Sequence, residues 1–204
     1  MNLRLMTVAI AALLVGGGVA YGLLGPAARL PQGATVVSGK PLIGGPFNLI
    51  DHTGKAVTDK DFLGRNLLVF FGFTFCPDVC PSGLQVISAA LDQLGPQAQN
   101  VTPVFITIDP ARDTPEKMAA YVSSFHPRLI GLTGSAADVA AAIKAYRVYA
   151  KKVPGDGNPA DYTMDHSSVA YLMGRDGKLL AFFADLSKPD ALAAQLRKAL
   201  SGQS

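Results

Sequence analysis

An almost unbroken apolar run, Asn66-Leu67-Leu68-Val69-Phe70-Phe71-Gly72-Phe73, lies about a third of the way along the chain. Its length and lack of alternation predict a central strand covered on both faces. Downstream, Leu84, Ile87, Leu91 and Leu94 recur at helical spacing, with Pro81 suited to the first helical position and Gly95-Pro96 to the stop. Val101 to Ile108 reads as a second strand, and Thr114-Pro115 as the cap and first turn of a second helix. Leu129 to Leu132 predicts a short strand, and Ser135 to Tyr146 an Ala-rich helix capped at Ser135 or Asp138. The pattern then changes to paired β-type runs, Ser168 to Met173 and Lys178 to Phe183, joined by Gly174-Arg175-Asp176-Gly177, and ends on an amphipathic helix from Lys188 to Leu200. Ahead of all these, Pro46 to Ile50 predicts a strand entering a turn at Asp51-His52-Thr53-Gly54-Lys55, where Gly54 can take positive φ. Strand-helix-strand followed by hairpin and helix predicts an α/β fold, a central sheet with helices on both faces.

Leu5 to Leu24 carries no charge and is dominated by Ala, Val, Leu, Ile and Gly. A helix of this length spans roughly 30 Å, the thickness of bilayer hydrocarbon, so an N-terminal membrane helix is expected. A cleaved signal sequence is the alternative, with Gly18-Val19-Ala20 as the cleavage site. Arg4 before the span and Arg29 after it give little bias for orientation. The expected organisation is a membrane anchor (or signal sequence) over 1–28, a Pro- and Gly-rich tether over 29–45, and one folded domain over 46–204.

Charge narrows the partners. The 18 Lys and Arg against 15 Asp and Glu give a net charge of +3, and the basic residues are scattered rather than gathered into a stripe, so nucleic acid is not an expected partner. The absence of Trp leaves no stacking platform for bases, and 2 cysteines exclude a multi-disulfide framework and leave stability to the core.

The chemistry concentrates in Phe75-Cys76-Pro77-Asp78-Val79-Cys80-Pro81, at the predicted strand-to-helix junction. Two thiols at this spacing can converge on one ion or on each other. Each cysteine precedes a proline, which biases it away from helical geometry, so both are expected in the loop and at the helix cap, partly accessible, with the helix dipole favouring thiolate. A structural disulfide is the bland alternative, disfavoured because closing so short a loop stabilises little. His166, in Met164-Asp165-His166-Ser167-Ser168, precedes the predicted hairpin and can complete a Cys2His set. Soft sulfurs suit Cu(I) and imidazole helps retain Cu(II), whereas a closed zinc site would need a fourth protein ligand. Taken alone, His166 reads more readily as an ordinary surface or capping histidine than as a ligand. Asp78 and Asp165 are candidates to orient ligands or are plain turn residues; Met164 is a weak fourth sulfur or packing; His52 and His126 read as structural.

Three elements together resemble the Sco/SenC family of copper chaperones for cytochrome c oxidase assembly: Gly72 to Pro81, Asp109-Pro110-Ala111-Arg112-Asp113-Thr114-Pro115 with Gly131-Leu132-Thr133-Gly134, and Asp161-Tyr162-Thr163-Met164-Asp165-His166-Ser167. The resemblance covers most of the soluble part in family order. It implies a thioredoxin-like fold, a mixed central sheet flanked by helices, with an N-terminal membrane anchor. It also implies copper, as Cu(I) or Cu(II), held by Cys76, Cys80 and His166. The implied partners are the copper-bearing subunit of the oxidase, another copper chaperone or a thioredoxin-like reductase, and the membrane. The implied location is membrane-anchored, with the soluble domain on the exported, periplasmic-type side. The competing reading is an anchored thiol-disulfide oxidoreductase with Cys76 and Cys80 as its redox pair, although three spacer residues stand where the familiar motif has two. A peroxidase lacks its pattern around Cys76, and a docking module without chemistry would leave the cysteines dispensable.

Overall fold

The computed structural model describes residues 43–155 and 161–202. The expected anchor over 1–28 and residues 29–42 of the expected tether lie outside the described residues. Among the described residues no helix is long and apolar enough to cross a membrane.

Strands β1 (Asn48–Asp51), β2 (Ala56–Thr58), β3 (Asn66–Gly72), β4 (Val101–Thr107), β5 (Ile130–Thr133), β8 (Ala170–Met173) and β9 (Leu179–Phe183) form one sheet in the order β2-β1-β5-β4-β3-β8-β9. The strands β3, β4 and β5 run parallel, and β1, β2, β8 and β9 pair antiparallel at the edges. The helices are α1 (Val79–Leu94), α2 (Pro115–Val122), α3 (Ala136–Ala145) and α4 (Pro189–Ser201). Two further strands, β6 (Ala150–Pro154) and β7 (Tyr162–His166), make a separate antiparallel ribbon. This is the thioredoxin-like, mixed-sheet arrangement expected, with the ribbon added.

Every residue of β3 is buried, as its unbroken apolar run requires. Its side chains alternate between the two faces. Leu68 and Phe70 pack with Leu84, Leu91, Met118, Leu192 and Leu196 from α1, α2 and α4. Leu67, Val69 and Phe71 pack with Val139, Ala142 and Tyr146 at α3, and with Cys76 and Cys80. The predicted caps are in place: Lys117 N donates to Thr114 Oγ1 at the start of α2, and Asp138 N donates to Ser135 Oγ at 3.1 Å at the start of α3. Gly177 takes φ +74° in the β8–β9 turn, where only a residue without a Cβ is unstrained.

One boundary differs from expectation with consequences for the site. Helix α1 begins at Val79 rather than Pro81, so Cys80 lies inside its first turn, not at the cap. The local bias of a residue preceding proline yields here to tertiary burial: Cys80 is fully enclosed and Cys76 is 8% exposed. The expectation of partly accessible cysteines is therefore corrected.

Candidate metal centre

Strand β3 ends at Gly72, and the loop that follows carries Cys76 before the chain turns into α1. A Cβ at residue 72 would lie 2.7 Å from Cys80 Sγ and 2.8 Å from the Phe105 ring, so only glycine lets the helix start this close to the strand end. The loop is pinned from its own side by Cys76 N donating to the Phe73 carbonyl at 3.2 Å, and Cys80 N donates to Cys76 Sγ at 3.4 Å. Both thiols are free.

His166, at the far end of β7, is brought to the cysteines across 86 sequence positions: its Nε2 lies 3.4 Å from Cys80 Sγ. The ligand atoms of Cys76, Cys80 and His166 all lie within 4.8 Å of one another, an arrangement that could hold a single metal ion. His166 Nδ1 lies 3.1 Å from the Ser167 carbonyl, which can only accept, so Nδ1 carries the proton and the Nε2 lone pair faces the sulfurs. The Phe73 ring meets the imidazole edge-on at 5.9 Å between centroids. Burial pushes the imidazole pKa down, opposed by the Ser167 carbonyl and Asp165, and this favours the neutral form that ligates.

Burial raises the Cys80 thiol pKa strongly, so desolvation outweighs the helix-terminus effect expected to favour thiolate. A metal arriving at this sulfur must displace its proton.

The remaining candidates sort cleanly. Asp78 accepts from Ser82 Oγ at 3.1 Å on an exposed turn of α1, and Asp165 is exposed; the Ser167 carbonyl, not Asp165, orients the imidazole. Met164 is half-buried against the core. His52 Nδ1 accepts from Gly131 N at 3.1 Å and His126 Nδ1 from Arg128 N at 3.1 Å, both structural.

Sequence reasoning placed Asp109, Arg112, Asp113 and Tyr162 in motifs but assigned them no role around the ligands. Asp113, fully buried, accepts from Thr74 N at 3.0 Å, Thr74 Oγ1 at 2.6 Å and Thr107 Oγ1 at 2.6 Å. Arg112 Nη1 donates to the Tyr162 carbonyl and the Tyr162 hydroxyl donates to Asp109 Oδ1, each at 2.8 Å. The available signal was a cluster of charges directly after an apolar strand. Exposed apolar side chains lie on the segments that carry or pair with the ligands: Phe75 and Val79 each adjoin a ligand cysteine, Tyr149 precedes β6 and Val153 lies in it.

The SCO1/SenC family model matches residues 36–201. The chain is 46% identical over 160 residues to the human protein named SCO1 homolog, mitochondrial, covering 78% of this chain and 53% of that one. It thus spans about half the length of that relative. It is 36% identical to the SCO2-like protein RP587 of Rickettsia prowazekii over 90% of this chain and 91% of that one. Among solved structures, copper-bound ScoI of Bradyrhizobium japonicum is similar, with TM-score 0.71 and 51% identity over 77% of this chain and 99% of that one.

Proposed function

Because the chain belongs to the SCO1/SenC family, we propose that it is a copper chaperone whose cargo is held by Cys76, Cys80 and His166 and passed on for assembly of the dinuclear copper site of cytochrome c oxidase. The observation that carries this reading is the convergence of two sulfurs and one imidazole nitrogen within 4.8 Å. The donor set fits copper: thiolates suit Cu(I), and a neutral imidazole suits Cu(II). With 2 cysteines in the whole chain, a closed four-thiolate zinc site is excluded. Three protein ligands leave a position at which an acceptor's ligand can enter and exchange the ion away. The exposed apolar side chains of Phe75, Val79, Tyr149 and Val153 suit docking of such an acceptor, the copper-bearing subunit of the oxidase, or of a copper-donating chaperone.

The uncharged stretch from Leu5 to Leu24 supports a membrane-anchored protein with residues 46–204 as its working domain on the exported side. A thiol-disulfide exchange role with Cys76 and Cys80 as the redox pair is the second reading. The enclosure of both sulfurs, 8% and 0% exposed, counts against attack on a bulky disulfide substrate. Copper titration of the reduced protein, with X-ray absorption to count sulfur and nitrogen ligands, tests the proposal. One equivalent bound with two sulfurs and one nitrogen is expected, and unaltered affinity in His166→Ala would overturn it.

A further inference from the structure

The loop after β4, Asp109 to Thr114, supplies no ligand, yet it bonds to both ligand-bearing segments. Toward the cysteines, Asp113 accepts from the amide and hydroxyl of Thr74, two residues before Cys76. Toward the histidine, Arg112 Nη1 donates to the Tyr162 carbonyl, Arg112 Nε pairs with Asp109 Oδ2, and Asp109 Oδ1 accepts from the Tyr162 hydroxyl. The Arg112 guanidinium carbon lies 3.7 Å from the Tyr162 ring centroid, 4.8 Å from that of Phe75 and 5.8 Å from that of Phe73. One planar cation thus connects the ring preceding Cys76 with the ring that opens the strand ending in His166.

Among the described residues the ribbon of β6 and β7 pairs only with itself, and a two-stranded ribbon alone is at best marginally stable, so side-chain contacts to the body must hold it. We propose that Arg112, braced by Asp109, is a positioning residue that clamps β7 to the cysteine loop and so holds the His166 imidazole against the two sulfurs, while Asp113 sets the cysteine loop separately. The inference rests on the reading of Cys76, Cys80 and His166 as copper ligands. The geometry calls for arginine: a planar fork can stack on rings while donating in its plane to a carbonyl and a carboxylate, which an ammonium cannot. Because the cysteine loop is also held by the packed core and by Asp113, whereas the histidine sits on the ribbon, loss of the clamp acts more on the imidazole than on the sulfurs. It therefore weakens Cu(II) more than Cu(I).

The test uses the full chain with Arg112→Gln, Arg112→Lys and Tyr162→Phe, and His166→Ala as reference. Cu(I) and Cu(II) affinities are measured by chelator competition, nitrogen ligation by electron paramagnetic resonance of the Cu(II) form, and the His166–Phe73 ring contact by nuclear Overhauser effects in metal-free protein. Arg112→Gln is expected to lower Cu(II) affinity about 10- to 100-fold, the range typical of outer partners of metal ligands, with loss of the nitrogen signal and the ring contact and little change for Cu(I). Arg112→Lys is expected not to rescue. Should Arg112→Gln fail to fold, Tyr162→Phe removes a single hydroxyl and is expected to show the same Cu(II)-selective loss in weaker form. Equal losses for both oxidation states with the ring contact kept, full rescue by lysine, or unchanged Cu(II) binding would each overturn the proposal. If His166→Ala leaves Cu(II) binding unchanged, the ligand reading fails instead, and the ring contact alone then judges the clamp.

Discussion

Gly72→Ala places a methyl group where the chain has left no room. The new Cβ would sit 2.7 Å from Cys80 Sγ and 2.8 Å from Phe105 Cε2, against the 3.4 Å at which ordinary contact begins. Neither neighbour has free space to retreat into, since Cys80 and Phe105 are both fully buried. Both of them, or the end of β3 itself, must move by more than half an ångström. Overpacking of this kind costs about 1–3 kcal/mol. In a domain of this size each kcal/mol lowers Tm by about 2–4 °C, so a drop of roughly 2–12 °C is expected for metal-free protein. A sulfur displaced by more than about 0.5 Å also leaves productive ligand geometry, so copper affinity should fall at least about tenfold. Thermal unfolding and chelator competition read the two effects separately. Gly202→Ala, whose added Cβ meets nothing nearer than 3.8 Å, serves as the control. Unchanged Tm would refute the close approach; lowered Tm with unchanged affinity would show that the end of β3 shifts rather than the sulfur, and would refute the claim that Gly72 sets the sulfur.

Asp113→Asn weakens an acceptor shared by Thr74 and Thr107 in the core, and is expected to cost about 1–3 kcal/mol in denaturant unfolding and to lower affinity for both copper oxidation states alike. Arg128→Ala removes donors to the carbonyls of Ala98 and Val101, remote from the ligands; it should destabilise by about 1–2 kcal/mol and leave copper affinity unchanged. The His126 pKa is lowered by burial and by Arg128, against the opposing pull of Asp92. The unfolded chain therefore binds a proton that the folded protein resists, and stability falls as pH drops below about 6.5. His126→Gln should flatten that fall in unfolding measured from pH 7 to 5, and an unaltered slope would contradict the assignment. Val79→Ser with Tyr149→Ser should keep copper affinity while slowing transfer to an acceptor domain, followed by the acceptor's absorption spectrum; unchanged transfer would remove these apolar side chains from the docking reading.

The sheet and its helices were legible because their signals are local and strong: an apolar run too continuous for an edge strand, i, i+3, i+4 spacing in α1, and hydroxyl caps at Thr114 and Ser135. The ribbon was not legible, for a physical reason. Strand β6 buries almost nothing, Lys151 to Pro154 being exposed, so it shows no period of two. Strand β7 does alternate, Tyr162, Met164 and His166 inward against exposed Thr163 and Asp165, and that was the readable trace of a strand ending in the histidine. The enclosure of the cysteines escaped because proline neighbours speak only about the backbone, whereas burial was decided by Gly72 and Phe105. The charges at Asp109, Arg112 and Asp113 were noticed as a motif, but their bonds reach 39 to 53 positions along the chain and no local pattern encodes such distances.

The span of 86 positions between Cys80 and His166 also bears on time. Closing so long a loop costs more entropy than forming local contacts, so the third donor is expected to join after the local strand-helix units have condensed. On that expectation an ion seated there grips an interaction missing from the transition state. It should lengthen the lifetime of the native protein by slowing unfolding while hardly quickening folding, so that the metal-loaded protein is long-lived and the metal-free one unfolds faster.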